Sequence, residues 1–195
     1  MTLASPWRQV LGDELDALHP RLSEYFSLIP VGKVGRGRGV FDSVGTPRRW
    51  LFPVLAILGR LGVVFPVWER DVPFTVENRQ DGRQLRARRT FHFRSGDRVM
   101  EDAIGVENGA LVDHLGRSGS VRAVFGAEAV DGALRLRSRR VGWRSIRLPF
   151  APTVTLLERY DDGVGRQHVD LAVDAPVIGR IYAYSGFFDY VIEDA

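Results

Sequence analysis

An apolar segment from Trp50 to Val67 constrains the fold of this chain more than any other stretch. It reads WLFPVLAILGRLGVVFPV and contains one charged residue, Arg60. Its apolar side chains cover every face of a helix, which is typical of a helix that is buried on all sides in protein or lipid. We expect a helix over residues 47–61 that packs against the rest of the fold.

The same segment is short and interrupted for a membrane-spanning helix. A span needs roughly 20 apolar residues, whereas this stretch contains Pro53, Pro66 and the internal Arg60. Burial against protein is therefore the favoured interpretation, and contact with a membrane surface is the alternative. The N-terminus lacks the pattern of a signal peptide, and the chain has no cysteine, so we expect a cytoplasmic protein.

Residues 72–195 alternate apolar and polar side chains with a period of two, as in Val72, Phe74 and Val76. Turn dipeptides separate the alternating runs: Asp81-Gly82, Ser95-Gly96, Asn108-Gly109, Asp131-Gly132 and Asp162-Gly163. Such turns between alternating runs are a strong signal for β-hairpins. The pattern predicts an antiparallel meander of roughly 8–10 strands, and it shows no strand–helix alternation that would indicate a parallel sheet.

The first 30 residues predict two short helices. Ser5-Pro6 begins the first, over residues 6–18, and His19-Pro20 interrupts it because the residue before a proline avoids the α region. The second covers residues 21–28. We expect one α+β domain over 1–195, mainly antiparallel β. It comprises N-terminal helices (1–30), a Gly/Arg-rich segment with the apolar helix (31–71), and a meander (72–195) that forms a strongly curved sheet or barrel.

Glycine and arginine alternate from Gly35 to Gly39. The spacing is not the dinucleotide-binding fingerprint, and no G-K-[ST] motif follows. Glycine at alternate positions is typical of a strand that closely approaches another backbone, or of a mobile loop. Anion binding by Arg36 and Arg38 is the functional alternative.

Four histidines are candidates for chemistry, but none has the H-x-H or H-E-x-x-H spacing of a metal site. We therefore expect no metal and no cofactor. His168 and Asp170 share one face of a predicted strand, and with His92 they are the candidates for acid–base catalysis. The ordinary alternative is that these side chains face solvent.

Arginine dominates the basic residues, because Lys33 is the single lysine among 27. Arg135, Arg137 and Arg139 lie on one strand face, and Arg86 and Arg88 lie on another. If the two strands are neighbours, they form a cationic surface suited to phosphate or anionic lipid headgroups; otherwise the arginines face solvent. The net charge of only +3, with no aromatic residues between the arginines, argues against nucleic acid.

Short motifs along the chain resemble a bacterial family catalogued as domain of unknown function 4166. They are Leu18-His19-Pro20, Gly35-Arg36-Gly37-Arg38-Gly39, Val72-Pro73, Asp131-Gly132-Ala133-Leu134, Gly142-Trp143, Leu148-Pro149, Ala151-Pro152, Pro176-Val177-Ile178-Gly179 and Tyr184-Ser185-Gly186. The resemblance extends from about Leu11 to Val191. It implies an accessory or ligand-binding role, because such modules stand alone or follow an oxidoreductase domain of the saccharopine-dehydrogenase or short-chain-reductase kind.

Our leading hypothesis is non-catalytic binding of a small hydrophobic or lipid-like ligand in a cavity of the curved sheet. The residues expected to line it are Phe91, Phe93, Trp143, Tyr182, Tyr184 and Phe188. One alternative is an enzyme that acts on a small hydrophobic or carbonyl substrate. Another is an interaction module that docks on an oxidoreductase partner or a membrane surface. No oligomeric state is predicted.

Overall fold

A computed structural model describes residues 4–60, 62–143, 146–147 and 151–195. Leu61, the predicted end of the apolar helix, and the Leu148-Pro149 motif lie outside these ranges. The strands are β1 (Lys33–Gly45), β2 (Trp68–Asp81), β3 (Gln84–Phe93), β4 (Gly96–Glu107), β5 (Ala110–Leu115), β6 (Val121–Val130), β7 (Ala133–Trp143), β8 (Ile146–Arg147), β9 (Thr153–Asp161), β10 (Arg166–Ala175) and β11 (Gly179–Asp194).

The helices are short and concentrated before β2. The α-helices are α1 (Pro6–Leu11), α2 (Pro20–Tyr25) and α3 (Phe52–Arg60), and 3-10 turns span Gly12–Ala17, Arg49–Leu51 and Arg117–Gly119. Ser5 begins α1, since its hydroxyl accepts a hydrogen bond from the backbone N–H of Arg8 at 3.2 Å. The predicted first helix is divided in the structure, because Gly12 leaves the helical conformation with φ of 56°.

Ten antiparallel strands close into a barrel, which confirms the predicted antiparallel β architecture. The strand order is β6-β5-β4-β3-β2-β1-β11-β10-β9-β7, and β6 also pairs with β7 to close the ring. Strand β8 adds a two-residue pairing to β7. Closure matters for function, since it turns one face of every strand in the ring toward a common interior.

Helices cover both ends of the barrel. At one end, which we call the α2 end, α1 and α2 bury Trp7, Leu11 and Leu22. At the opposite end, the α3 end, Leu51, Leu55 and Phe65 are buried. Aromatic rings fill the interior next to α3: Phe41 stacks on Phe74 at 4.3 Å and on Tyr184 at 5.3 Å, and Phe65 lies 5.7 Å from Phe91.

The alternating glycines belong to β1, and they allow aromatic side chains to lie against that strand. A Cβ atom on Gly39 would overlap the carbonyl oxygen of Phe187 and lie 2.6 Å from the Cβ of Phe188. A Cβ on Gly35 would overlap the hydroxyl of Tyr190. The close-approach interpretation of this segment is therefore confirmed, and the segment is a strand.

The predicted burial of the apolar helix on all sides is wrong. The helix is shorter than 47–61, with α3 following a 3-10 turn, and only one side of it faces the barrel. Trp50, Val54 and Ile57 are exposed, because the end of a barrel offers a single surface to a helix that lies across it. Among the described residues, no helix has both the length and the apolar character needed to cross a membrane.

Candidate functional site

The barrel interior contains a group of polar and charged side chains that we call the buried ionic centre. Its members occupy inward-facing positions on five different strands: Arg89, Asp102, Asp113, Glu158 and Gln167. The three carboxyl residues and Gln167 are buried. Burial of this much charge is costly unless the groups are paired, so the contacts inside the centre determine what it can do.

Two pairs are formed within the centre. A nitrogen of the Arg89 guanidinium forms an ion pair with the carboxylate of Asp102. The side-chain amide of Gln167 donates a hydrogen bond of 2.5 Å to Oε2 of Glu158. In contrast, Oδ2 of Asp102 and Oδ1 of Asp113 are buried and accept no hydrogen bond from a residue that the structure describes.

Burial changes the titration of the carboxyl groups in the centre. Burial raises the pKa of Glu158 to about 7, although Arg89 and the hydrogen bond from Gln167 act to lower it. Burial likewise raises the pKa of Asp113 to about 6, against the attraction of Arg89 and His114. The interior therefore holds carboxyl groups that change protonation near neutral pH.

A cleft of about 260 Å³, the α2 cleft, opens between α2 and the ends of β9, β10 and β11. Its lining combines four aromatic rings and one amide with two ion pairs, Arg21 with Glu24 and Arg166 with Asp189. The aromatic rings and the amide belong to Tyr25, Tyr160, Phe188, Tyr190 and Gln167. Tyr25 and Tyr190 meet edge to face with ring centroids 4.6 Å apart. Gln167 is the connection between this cleft and the buried ionic centre, since its amide donates to Glu158.

The six aromatic residues predicted to bind a ligand do not line one cavity. Phe188 lines the α2 cleft, whereas Phe91 and Phe93 pack on Phe65 and on each other in the aromatic interior next to α3. Tyr182 and Tyr184 are also buried. Trp143 is 40% exposed at the end of β7.

His168 and Asp170 lie together on the outside of β10, as the sequence predicted. Nδ1 of His168 is 3.1 Å from Oδ2 of Asp170, and Nε2 is 3.3 Å from the hydroxyl of Ser185. His92 is elsewhere, with Nδ1 2.9 Å from Oδ1 of Asp97.

A serine, a histidine and an aspartate in this order resemble a nucleophilic triad, but Arg159 changes the chemistry. Nη1 of Arg159 is 2.6 Å from Nδ1 of His168, and a guanidinium can only donate. Nδ1 must therefore accept, so the proton of the neutral ring is on Nε2 and points to Ser185. A histidine that activates a serine needs the opposite tautomer, and this arrangement therefore does not activate Ser185.

The arginines do not form the continuous cationic surface that neighbouring strands would have produced. Strands β3 and β7 are not paired, and Arg86 and Arg88 form ion pairs with Asp81 and Glu101. The condition for that surface is not met, because β3 pairs with β2 and β4, which the local pattern does not specify.

The predicted anion-binding arginines divide into two separate sets on the outer face. Arg36 is neutralised by Glu77 and Glu193 on the strands beside it, and Arg38 is exposed on the same strand. Arg135 and Arg137 line an outer groove of about 430 Å³. Arg135 pairs with Glu128 at 3.1 Å, and the groove also contains Asp170, so its charge is mixed.

Sequence reasoning missed the buried ionic centre, although one signal for it was present. Arg89 follows Leu85 and Ala87 and precedes Phe91 and Phe93 at the same period of two. A charged residue within the apolar face of a strand is the pattern that indicates a buried functional or structural charge. Within the described residues, no His, Asp and Glu side chains come together in a group that could hold a metal ion.

The fold and its interior define this chain as a closed antiparallel β-barrel domain with a charged centre and helical ends. The family described as "Domain of unknown function (DUF4166)" matches residues 18–188. The chain therefore belongs to this family, as its motifs predicted. The matched region contains α2 and every residue of the buried ionic centre. No curated protein matches the chain.

Proposed function

We propose that this domain binds a small amphiphilic molecule in the α2 cleft, with a polar group of the ligand directed toward the buried ionic centre. The observation that carries the proposal is the position of Gln167. Its side chain lines the cleft and donates to the buried Glu158. A ligand in the cleft would thus contact a group that is already coupled to the charged interior.

The aromatic lining selects the apolar part of the ligand. Tyr25, Tyr160, Phe188 and Tyr190 offer ring faces and edges, which favour flat or short apolar groups. A volume of about 260 Å³ is below the usual range of about 300–1,000 Å³ for drug-sized ligands. The sequence predicts a hydrophobic or lipid-like ligand, and the volume of the cleft restricts this class to compact molecules, such as those with a single ring or a short chain.

The carboxyl groups select the polar part. Asp102, Asp113 and Glu158 outnumber the one guanidinium of Arg89, and buried acceptor oxygens without partners are energetically costly. The three acids lie behind Gln167 and do not themselves line the cleft, so a hydroxyl or protonated amine directed past Gln167 would supply the donors that these oxygens lack. The arginines of the cleft are paired with Glu24 and Asp189, and a carboxylate or phosphate directed past Gln167 would add like charge to the interior and is disfavoured.

NMR of the Gln167 side-chain amide tests this proposal. The ¹⁵N-labelled protein is titrated with small aromatic amines and alcohols, and the Gln167 signal is assigned from its loss in Gln167→Leu. Binders should shift this signal and leave the side-chain amide of Gln84 unchanged. Affinity should fall at least about tenfold in Gln167→Leu, since a hydrogen bond to a charged group is worth about 1.5–3 kcal/mol.

Gln84→Leu is the matched control, because Gln84 is a half-buried glutamine on β3 that does not line the α2 cleft. This variant should bind as the wild type does. Binding that shifts only signals outside the cleft, or the absence of any binder among the amines and alcohols, would contradict the proposal. Association with an oxidoreductase partner stays a prediction.

A further inference from the structure

The α3 end of the barrel carries a group of exposed large apolar side chains that we call the apolar cap. It consists of Trp50, Val54 and Ile57 from the α3 region and Val177 and Ile178 from the β10–β11 turn. Their exposed fractions are 63%, 55% and 64% for the first three, and Val177 is fully exposed. Exposed apolar side chains that are grouped in this way mark an interaction surface.

The helix geometry explains why one stripe of α3 remains exposed. Leu51 and Leu55 point into the barrel end and are buried. Trp50, Val54 and Ile57 follow each other at spacings of four and three residues, so they form a single stripe on an adjacent side, about 100° around the helix from Leu51 and Leu55. The folding of this barrel does not require that stripe to be apolar, since nothing in the described chain covers it.

The β10–β11 turn extends the same surface. Nη1 of Arg48 donates a hydrogen bond of 2.5 Å to the carbonyl oxygen of Ile178, which places the turn beside the start of the α3 region. Val177 has φ of 66°, a conformation that strongly disfavours a β-branched residue. Neither packing nor backbone preference accounts for a valine at this exposed position.

The charges on the part of the chain that contains α3 have one sign, whereas the β10–β11 turn is flanked by the ion pair between Asp174 and Arg180. From Val44 to Trp68 the chain contains three arginines and no acidic residue. Arg48, Arg49 and Arg60 are exposed. An apolar helix face flanked by arginines is the pattern of a helix that lies in the interface of an anionic membrane.

We propose that the apolar cap docks this domain on an anionic membrane surface, with α3 parallel to the bilayer plane. Trp50 would lie at the level of the headgroups, where tryptophan is enriched. The arginines would contact anionic headgroups while Val54, Ile57 and Val177 enter the acyl boundary. This surface is at the opposite end of the barrel from the α2 cleft, so the proposal is independent of the proposed ligand.

Vesicle flotation of the full chain tests the docking. The protein is mixed at low salt with vesicles of phosphatidylcholine and phosphatidylglycerol in equal parts, or of phosphatidylcholine alone. We expect flotation with the anionic vesicles that weakens at high salt, and much less with the neutral ones. The double variant V54D/I57D should reduce the floated fraction at least about tenfold, because each charge opposes insertion.

Two further variants make the result specific. V40D/V164D changes valines of similar exposure, 44% and 54%, outside the apolar cap, and it should float like the wild type. R49Q/R60Q should weaken binding to anionic vesicles and leave neutral vesicles unaffected. If the circular dichroism spectrum shows that V54D/I57D does not fold, the milder variant I57S replaces it in the flotation assay.

Three outcomes would overturn the proposal. The first is the absence of wild-type flotation with either vesicle at low salt, which would assign the apolar cap to a protein partner. The second is equal flotation of V54D/I57D and V40D/V164D. The third is equal flotation with neutral and anionic vesicles, which would show that the arginines do not contribute to binding through anionic headgroups.

Discussion

The side-chain amide of Gln167 donates a hydrogen bond of 2.5 Å to the carboxylate of Glu158 inside the barrel. Neighbouring residues on β9 and β10 thereby connect the α2 cleft to the charged interior. Burial raises the pKa of Glu158 to about 7 in the folded protein, from an ordinary value of 4.5. The folded state thus holds this proton more tightly than the unfolded state does.

The first prediction concerns the pH dependence of stability. Because the folded-state pKa of Glu158 is raised, its contribution to stability is fully present below about pH 4.5 and is lost as the pH rises through about 7. The loss is on the order of 3 kcal/mol, since one pKa unit corresponds to about 1.4 kcal/mol. In Glu158→Gln, the free energy of unfolding measured with urea should not show this decrease across the same pH range. Identical pH profiles for the variant and the wild type would contradict the raised pKa.

The second prediction concerns Arg89, whose guanidinium pairs with Asp102. Arg89→Met leaves buried carboxylates without their cation and should lower the free energy of unfolding by about 3–5 kcal/mol. Adding Asp102→Leu should recover part of the lost free energy of unfolding, because it removes the unpaired charge. Arg86→Met, which breaks an exposed pair with Asp81, should change stability by less than about 1 kcal/mol. Equal effects of Arg89→Met and Arg86→Met would show that Arg89 does not neutralise the buried carboxyl group of Asp102.

The third prediction concerns the contact between β1 and β11. Gly39→Ala should lower the free energy of unfolding by about 3 kcal/mol, at the upper end of the effects of overpacking. The added Cβ would overlap a backbone carbonyl of β11, which cannot move without breaking the barrel. The control is Gly163→Ala in the exposed β9–β10 turn, where the Cβ meets only the Asp161 carboxylate at 3.3 Å. Chemical unfolding of both variants checks the difference, and a stable Gly39→Ala would contradict the register of β1 on β11.

The fourth prediction concerns the tautomer of His168. Burial lowers the pKa of this imidazole, and Arg159 adds to the effect while Asp170 opposes it. The ring should therefore be neutral at pH 7 with its proton on Nε2, and any contribution of this shift to stability is lost as the pH falls below about 6.5. Long-range ¹H–¹⁵N NMR distinguishes the two ring nitrogens. A proton on Nδ1 would contradict the tautomer argument and would return Ser185 to consideration as a nucleophile.

Local turn chemistry made most of the barrel predictable. Asn108-Gly109 and Asp131-Gly132 have positive φ at both residues, as a two-residue hairpin turn requires. Each of these turns connects two neighbouring antiparallel strands of the barrel. The β9–β10 turn differs slightly, because the glycine with positive φ is Gly165 and not Gly163.

Long-range pairing made the buried ionic centre unpredictable. Arg89, Asp113 and Glu158 are far apart in the chain, and they share an interior only because β6 and β7 close the ring. The sequence pattern also does not indicate that Val54 and Ile57 are exposed, for a related reason. A helix that is apolar all round does not indicate which of its sides the rest of the fold will cover.

Native mass spectrometry of the freshly purified protein tests the central claim, that the α2 cleft holds a small ligand, most directly. We predict a noncovalent adduct on the wild type and on Gln84→Leu, and its loss or marked reduction on Gln167→Leu. Organic extraction of the adduct should yield a compact molecule with a hydroxyl or amine group. An adduct-free wild type, or the same adduct retained on Gln167→Leu, would contradict the claim.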